Sequence, residues 1–190
     1  EALTIGSMVT HATVATSPEV NKALPGLSAL AEGIGDPHVR NRGTIGGSGA
    51  NNDPAADYPA ALLALGATIH TDKRAISADD FFQGLFTTAL GETEMITSIS
   101  FSLPTKFAYA KFANPASRYA LVGVAVAQRG GDVRVAVTGA GQNGVFRVPA
   151  MEAALKSSLS AQAVAGVKVD ASTLSSDIHA NADYRAHLIA

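Results

Sequence analysis

The stretch Gly35-Asp36-Pro37-His38-Val39-Arg40-Asn41-Arg42-Gly43-Thr44-Ile45-Gly46-Gly47-Ser48-Gly49-Ala50-Asn51-Asn52-Asp53-Pro54-Ala55-Ala56-Asp57-Tyr58-Pro59 decides how this chain is read. Arg40 and Arg42 set positive charge beside Gly43, Thr44, Gly46, Gly47 and Ser48, where the backbone has little side-chain cover. Without Cβ atoms, Gly46 and Gly47 can take positive φ and bring backbone N–H groups close to an anion such as a pyrophosphate. The segment is not a P-loop, since no Gly-Lys-Ser/Thr follows Gly43, and it does not show the strand-before, helix-after context of a dinucleotide fingerprint. Composition leaves two readings open, an anion site and a glycine-rich turn between structured segments.

Downstream, Asp53-Pro54 and Asp57-Tyr58-Pro59 read as successive helix starts, a carboxylate at the N-cap and proline in the first turn. The main helix is predicted from about Tyr58 to Leu65, stopping at Gly66. Ala67 to Thr71 and Arg74 to Ile76 flank Asp72-Lys73 as a hairpin, and Ser77-Ala78-Asp79-Asp80 opens a short helix whose acids serve its dipole. Met95 to Phe101 alternates as a half-buried strand, and Leu103-Pro104-Thr105 marks a boundary. Upstream, Ser7 is expected to cap a first short helix and Ser17-Pro18-Glu19 a second, while Leu24, Leu27, Leu30, Ala31 and Ile34 recur at core spacing.

Beyond the boundary, strand-like runs at 107–111, 119–128 and 133–138 are separated by Asn114-Pro115 and Gly130-Gly131-Asp132, an antiparallel meander. Helices follow at Pro149 to Leu159, Ala161 to Val167 and from about Ala182. The fold class is α+β, with a partial domain over 1–103 and a smaller one over 104–190 built of a three-stranded antiparallel sheet and helices.

With 190 residues, 47% hydrophobic content and a net charge of −2, the chain can bury a core and carries no broad basic face for nucleic acid. It contains no cysteine, so it can hold neither a disulfide nor an iron–sulfur cluster, and a redox role would need an organic cofactor. No apolar run approaches membrane-spanning length and no signal peptide opens the chain, which reads as cytoplasmic. His11, His38, His70, His179 and His187 are scattered, so no metal is expected. Ser48 lacks the strand–turn–helix context of a nucleophile, and no catalytic side chain is assigned.

Residues 34–47, with Asp53-Pro54-Ala55-Ala56-Asp57, Leu62 to Ala67, Gly91 to Pro104, Tyr109-Ala110-Lys111-Phe112 and Asp177-Ile178-His179-Ala180 before Tyr184-Arg185, closely resemble the FAD-binding medium subunit of the molybdenum hydroxylases. That family includes carbon monoxide dehydrogenase, xanthine dehydrogenase and aldehyde oxidoreductases. The resemblance covers essentially the whole chain and implies a flavoprotein that transfers electrons. FAD would sit on this subunit, while the molybdenum cofactor and two [2Fe–2S] clusters would sit on a large and a small partner subunit, in a dimer of heterotrimers. It implies that Thr44, Ile45, Gly46, Gly47 and Ser48 wrap the pyrophosphate, that Asp57 contacts the cofactor, and that Ile34, Ile96, Lys111 and Tyr119 line its site. Ser48 stands where asparagine is usual. The glycine-rich loop expected before the quoted stretch has no equivalent here, which reads as an N-terminal truncation. From the residues alone, Ile34 and Ile96 read equally as core, Lys111 as a solvated lysine, and Asp57 as a helix cap. A non-catalytic assembly or nucleotide-binding module that has lost flavin is the alternative to the redox reading.

Overall fold

A computed structural model describes all residues 1–190. The first half runs β1 (Ala2–Gly6), α1 (His11–Thr16), α2 (Pro18–Ala23), α3 (Pro25–Glu32), α4 (Pro37–Arg42), α5 (Ile45–Asn51), α6 (Tyr58–Leu65), β2 (Thr68–Thr71), β3 (Ala75–Ser77), α7 (Ala78–Phe81), β4 (Phe82–Gly84), β5 (Thr87–Thr88) and β6 (Ile96–Ser102). The second half runs β7 (Lys106–Ala113), β8 (Ala120–Arg129), β9 (Asp132–Thr138), β10 (Phe146–Arg147), α8 (Pro149–Ser157), α9 (Ala161–Val164), a short 3-10 turn and α10 (Ala182–Ile189). No helix is long and apolar enough to cross a membrane.

The first sheet has the order β1-β6-β2-β3, and every neighbouring pair is antiparallel. Its register lines up Ile5, Ile99, Ile69 and Ile76 across four strands, an isoleucine stripe that period-2 alternation sends to one buried face. The second sheet has the order β10-β9-β8-β7. Its faces differ in size. Ala125, Ala127 and Ala136 join the core of the first half, while Val122, Val133, Val135 and Val137 pack with Met151, Leu155 and Ile189 from α8 and α10. The small face lets α6 lie close, and every residue from Tyr58 to Leu65 is buried. Gly66 then ends the helix in the left-handed conformation, as its sequence position requires.

Several local expectations give way to tertiary contacts. The quoted glycines form a helix, α5, and not a turn: Thr44 Oγ1 accepts from Gly47 N at 3.0 Å, and Ile45, fully buried, anchors the segment. Gly46 must be glycine because a Cβ there would stand 2.5 Å from Ser7 Cβ. Close packing thus outweighs the roughly 0.5–1 kcal/mol that each glycine costs a helix. Thr10, not Ser7, caps α1, and Asp53 accepts from Ala55 N in a tight turn instead of starting a helix. The second sheet gains a fourth strand, β10, and α9 stops at Val164, short of Val167. Asp79 stands in the first turn of α7 as expected, and it also pairs with Arg134 at 2.5 Å across the two halves.

Candidate functional site

The C-terminal end of α4, the start of α5, the first residue of α1 and the 53–57 turn enclose a cleft of about 400 Å³. Asp36 caps the helix that forms one wall: its carboxylate accepts from Val39 N at 3.0 Å, and Pro37 sits at the first helical position, so α4 is locally encoded. Arg42 projects into the cleft, whereas Arg40 donates to the carbonyls of Ile34 and Gly35 at 3.0 and 3.3 Å. Of the two arginines flanking the glycines, one therefore faces a ligand space and the other staples the loop that carries Ile34.

Six of the residues singled out by the resemblance, Ile34, Thr44, Gly47, Ser48, Asp57 and Tyr119, line this cleft together. Lys111 joins Ile34, Asp57 and Tyr119 around an adjoining hollow of about 190 Å³. The side chains of Ile45 and Ile96 lie in the apolar core, and Gly46 is packed on Ser7. The amides at the start of α5 are already engaged: Ile45 N donates to Val9 O at 3.1 Å, Gly46 N to Ser7 O at 2.9 Å, and Gly47 N to Thr44 Oγ1. The donors facing the cleft are consequently side chains more than backbone. Gly47 keeps space in front of it, since the one atom near an added Cβ is Thr44 Oγ1 at 2.9 Å.

Asp57 is not a helix cap. Its backbone is already helical, its side chain makes no capping bond, and its carboxylate is 5% exposed. Oδ1 accepts from Tyr109 Oη at 2.5 Å and Oδ2 from Lys111 Nζ at 3.0 Å, and Lys111 also donates to Gly33 O at 3.2 Å. Lys111 is thus the buried partner of a carboxylate and not a solvated lysine. Burial pushes the Asp57 carboxyl above the usual carboxylate range, opposed by the Lys111 charge and the Tyr109 hydrogen bond. Burial and the neighbouring Asp57 push the Tyr109 phenol far up, so it serves as a donor only.

Sequence reasoning gave no role to His11, which lines the cleft, or to Tyr109, which holds Asp57 from behind it. His11 is 5% exposed on the cleft wall, its Nδ1 has no hydrogen-bond partner, its ring lies 5.3 Å from that of Tyr58, and burial lowers its pKa. Tyr109 shares a strand face with Lys111, a signal visible in the alternation, although nothing local says that it reaches Asp57. No cluster of His, Asp and Glu side chains in the structure could hold a metal ion.

Residues 1–105 match the family described as the FAD binding domain in molybdopterin dehydrogenase. The chain is 42% identical over 198 aligned residues to the nicotine 6-hydroxylase medium subunit of Paenarthrobacter nicotinovorans, covering 97% of this chain and 70% of that one. It is 32% identical to the carbon monoxide dehydrogenase medium chain of Hydrogenophaga pseudoflava, covering 95% of this chain and 68% of that one. Its structure is similar to reconstituted CO dehydrogenase from Oligotropha carboxidovorans, with a TM-score of 0.85 at 28% identity, over 99% of this chain and 71% of the other.

Proposed function

Because the chain belongs to the family of FAD-binding domains of molybdopterin dehydrogenases, we propose that it is the FAD-carrying electron-transfer subunit of a multi-subunit molybdenum-containing hydroxylase. In this reading a large subunit holds the molybdenum cofactor and oxidises the substrate. A small subunit holds two [2Fe–2S] clusters, and this subunit passes the electrons on to NAD or another acceptor, within a dimer of heterotrimers. Residues 1–103 form the flavin domain and residues 104–190 the C-terminal domain.

The observation that carries the reading is the convergence of Ile34, Thr44, Gly47, Ser48, Asp57 and Tyr119 on one cleft although they lie far apart in the sequence. The residues present fit the group. A Cβ on Gly47 would fill cleft space that a phosphate needs, and Arg42, Thr44 and Ser48 offer one cation and two hydroxyls within reach of it. Because the amides of Ile45, Gly46 and Gly47 are held internally, these side chains would hold the diphosphate. Ile34 and Tyr119 would flank the ring system, and Asp57 with Lys111 would supply a charged pair at the far wall. FAD, when bound, supplies the chemistry of accepting and releasing electrons. The protein binds it, orients it and excludes water, and no side chain acts as a nucleophile.

The test is the visible spectrum of the purified complex. A flavin band that bleaches on addition of the substrate of the molybdenum subunit supports the redox reading. A colourless complex that gains no flavin from added FAD supports a non-catalytic module instead.

A further inference from the structure

Tyr109 stands on the edge strand of the second sheet, yet its hydroxyl crosses the face of β8 to reach a carboxylate in the first half of the chain. Gly123 makes that path. A Cβ at this position would overlap Tyr109 Oη and stand 2.8 Å from its Cζ and 2.9 Å from Thr138 Cγ2. The same sheet grips the turn that carries Asp57. Thr138 Oγ1 donates to Pro54 O at 3.1 Å and to Ala56 O at 2.6 Å, Gly139 N donates to Pro54 O at 2.8 Å, and Ala120 N donates to Ala55 O at 3.3 Å. Local structure gives the Asp57 side chain no helix-capping bond to orient it. Its orientation is imposed by one donor on each oxygen, Tyr109 on Oδ1 and Lys111 on Oδ2.

We propose that Tyr109 is a positioning residue for the cleft: its phenol, passing over Gly123, locks the Asp57 carboxylate in one orientation against Lys111, so that the wall presents a fixed acceptor to the ligand. The consequence for FAD rests on the function proposed above; the lock itself does not. Lys111 and Tyr109 are the side chains that donate to the carboxylate, and the backbone amide of Asp57 itself adds to them. The other charged or titratable groups around it are Tyr58 beside it in the chain, His11, Arg42 and Asp53 in the cleft, Asp36 and Arg118 around the hollow, and Tyr119 on both.

The test uses the intact subunit in its complex, as wild type, Tyr109→Phe, Asp57→Asn and the double variant. FAD affinity is measured by reconstitution of flavin-free complex. The protonation of Asp57 is followed without flavin, as the carboxyl infrared band present in wild type and absent in Asp57→Asn. Tyr109→Phe is expected to weaken FAD about tenfold, and by less than about twofold once Asp57 is already Asn. Loss of the phenol donor is expected to move the Asp57 band to higher pH. Equal losses of affinity in both backgrounds, or an Asp57 band that titrates as in wild type, would overturn the assignment. If wild-type complex takes up no FAD, the functional reading fails, and the infrared titration still decides whether Tyr109 holds Asp57.

Discussion

Gly46 rests against Ser7, its amide hydrogen donated to the Ser7 carbonyl over 2.9 Å and its Cα too close to Ser7 to admit a side chain. Gly47 differs, because it faces the cleft and touches only the cap oxygen of Thr44. Gly46→Ala is therefore expected to destabilise the subunit by about 1–3 kcal/mol through overpacking. Gly47→Val should cost no more than the strained cap, about 0.5–2 kcal/mol, while depleting flavin. Calorimetry and the flavin-to-protein absorbance ratio separate the two outcomes, and parallel losses in both readouts for both variants would contradict this division of labour.

Truncating Asp57 exposes the difference between a cap and a buried partner. Asp57→Ala leaves Lys111, 12% exposed, and the Tyr109 hydroxyl without their acceptor, at a cost of about 3 kcal/mol, the low end for a broken buried pair because Lys111 keeps the Gly33 carbonyl. Asp57→Asn retains an acceptor but loses the charge, a cost of about 1–2 kcal/mol. A cap would tolerate Asn almost silently. Urea denaturation of the flavin-free protein at neutral pH measures both.

The lowered pKa of His11 gives a defined acid sensitivity. Burial keeps the folded imidazole neutral, while the unfolded chain takes up a proton near 6.5. Its contribution is therefore complete above 6.5 and declines as the pH falls toward the folded value, with a slope of at most about 1.4 kcal/mol per pH unit. His11→Gln should flatten the pH dependence of the urea midpoint in that window. An unchanged slope would assign the sensitivity to other groups.

Arg185 is a buried guanidinium, 3% exposed, that donates to Leu121 O, Gly139 O and Asp177 Oδ2 at 2.6, 2.8 and 2.7 Å. A lysine ammonium cannot span that fork, so Arg185→Lys should cost about 2–4 kcal/mol despite keeping the charge. Thermal melts of the two proteins check this, and a melting temperature shared with wild type would mean that the carbonyls find other donors.

Much of the fold was legible because its signals are local. Ser17 before Pro18, Ser77 answered by Asp80, and Gly66 at a helix end all act within four residues, and the structure uses each as read. The alternation from Phe107 to Lys111 and from Tyr119 to Gln128 found the second sheet for the same reason, with β8 itself starting at Ala120. The Asp36-Pro37 start of α4 was equally local and went unread. The glycine run from Gly46 to Gly49 misled, because what makes it helical is the fit of Gly46 on Ser7, a residue distant in the sequence. Asp57 misled likewise: Asp before Tyr-Pro matches a cap, and the groups that claim it lie 52 and 54 residues away. The cleft residues were reachable through family resemblance, whereas His11 and Tyr109 depend on burial and on a path across β8 that one sequence does not display.

The complete burial of α6 between the isoleucine stripe and the alanine face has a consequence for how the protein folds and opens. Leu62, Leu63 and Leu65 each stand to forfeit about 2–5 kcal/mol if their surroundings are removed, and Ala125, Ala127 and Ala136 from beyond residue 104 are part of those surroundings. Neither half can therefore melt ahead of the other, and denaturation should be one cooperative transition, with α6 amides exchanging hydrogen only through global unfolding. Assembly inherits the same dependence: α6 is synthesised before β8 and β9 and must wait for them before it is enclosed. Such non-local closure makes for slow folding and a nascent state with an exposed apolar helix that a chaperone can recognise.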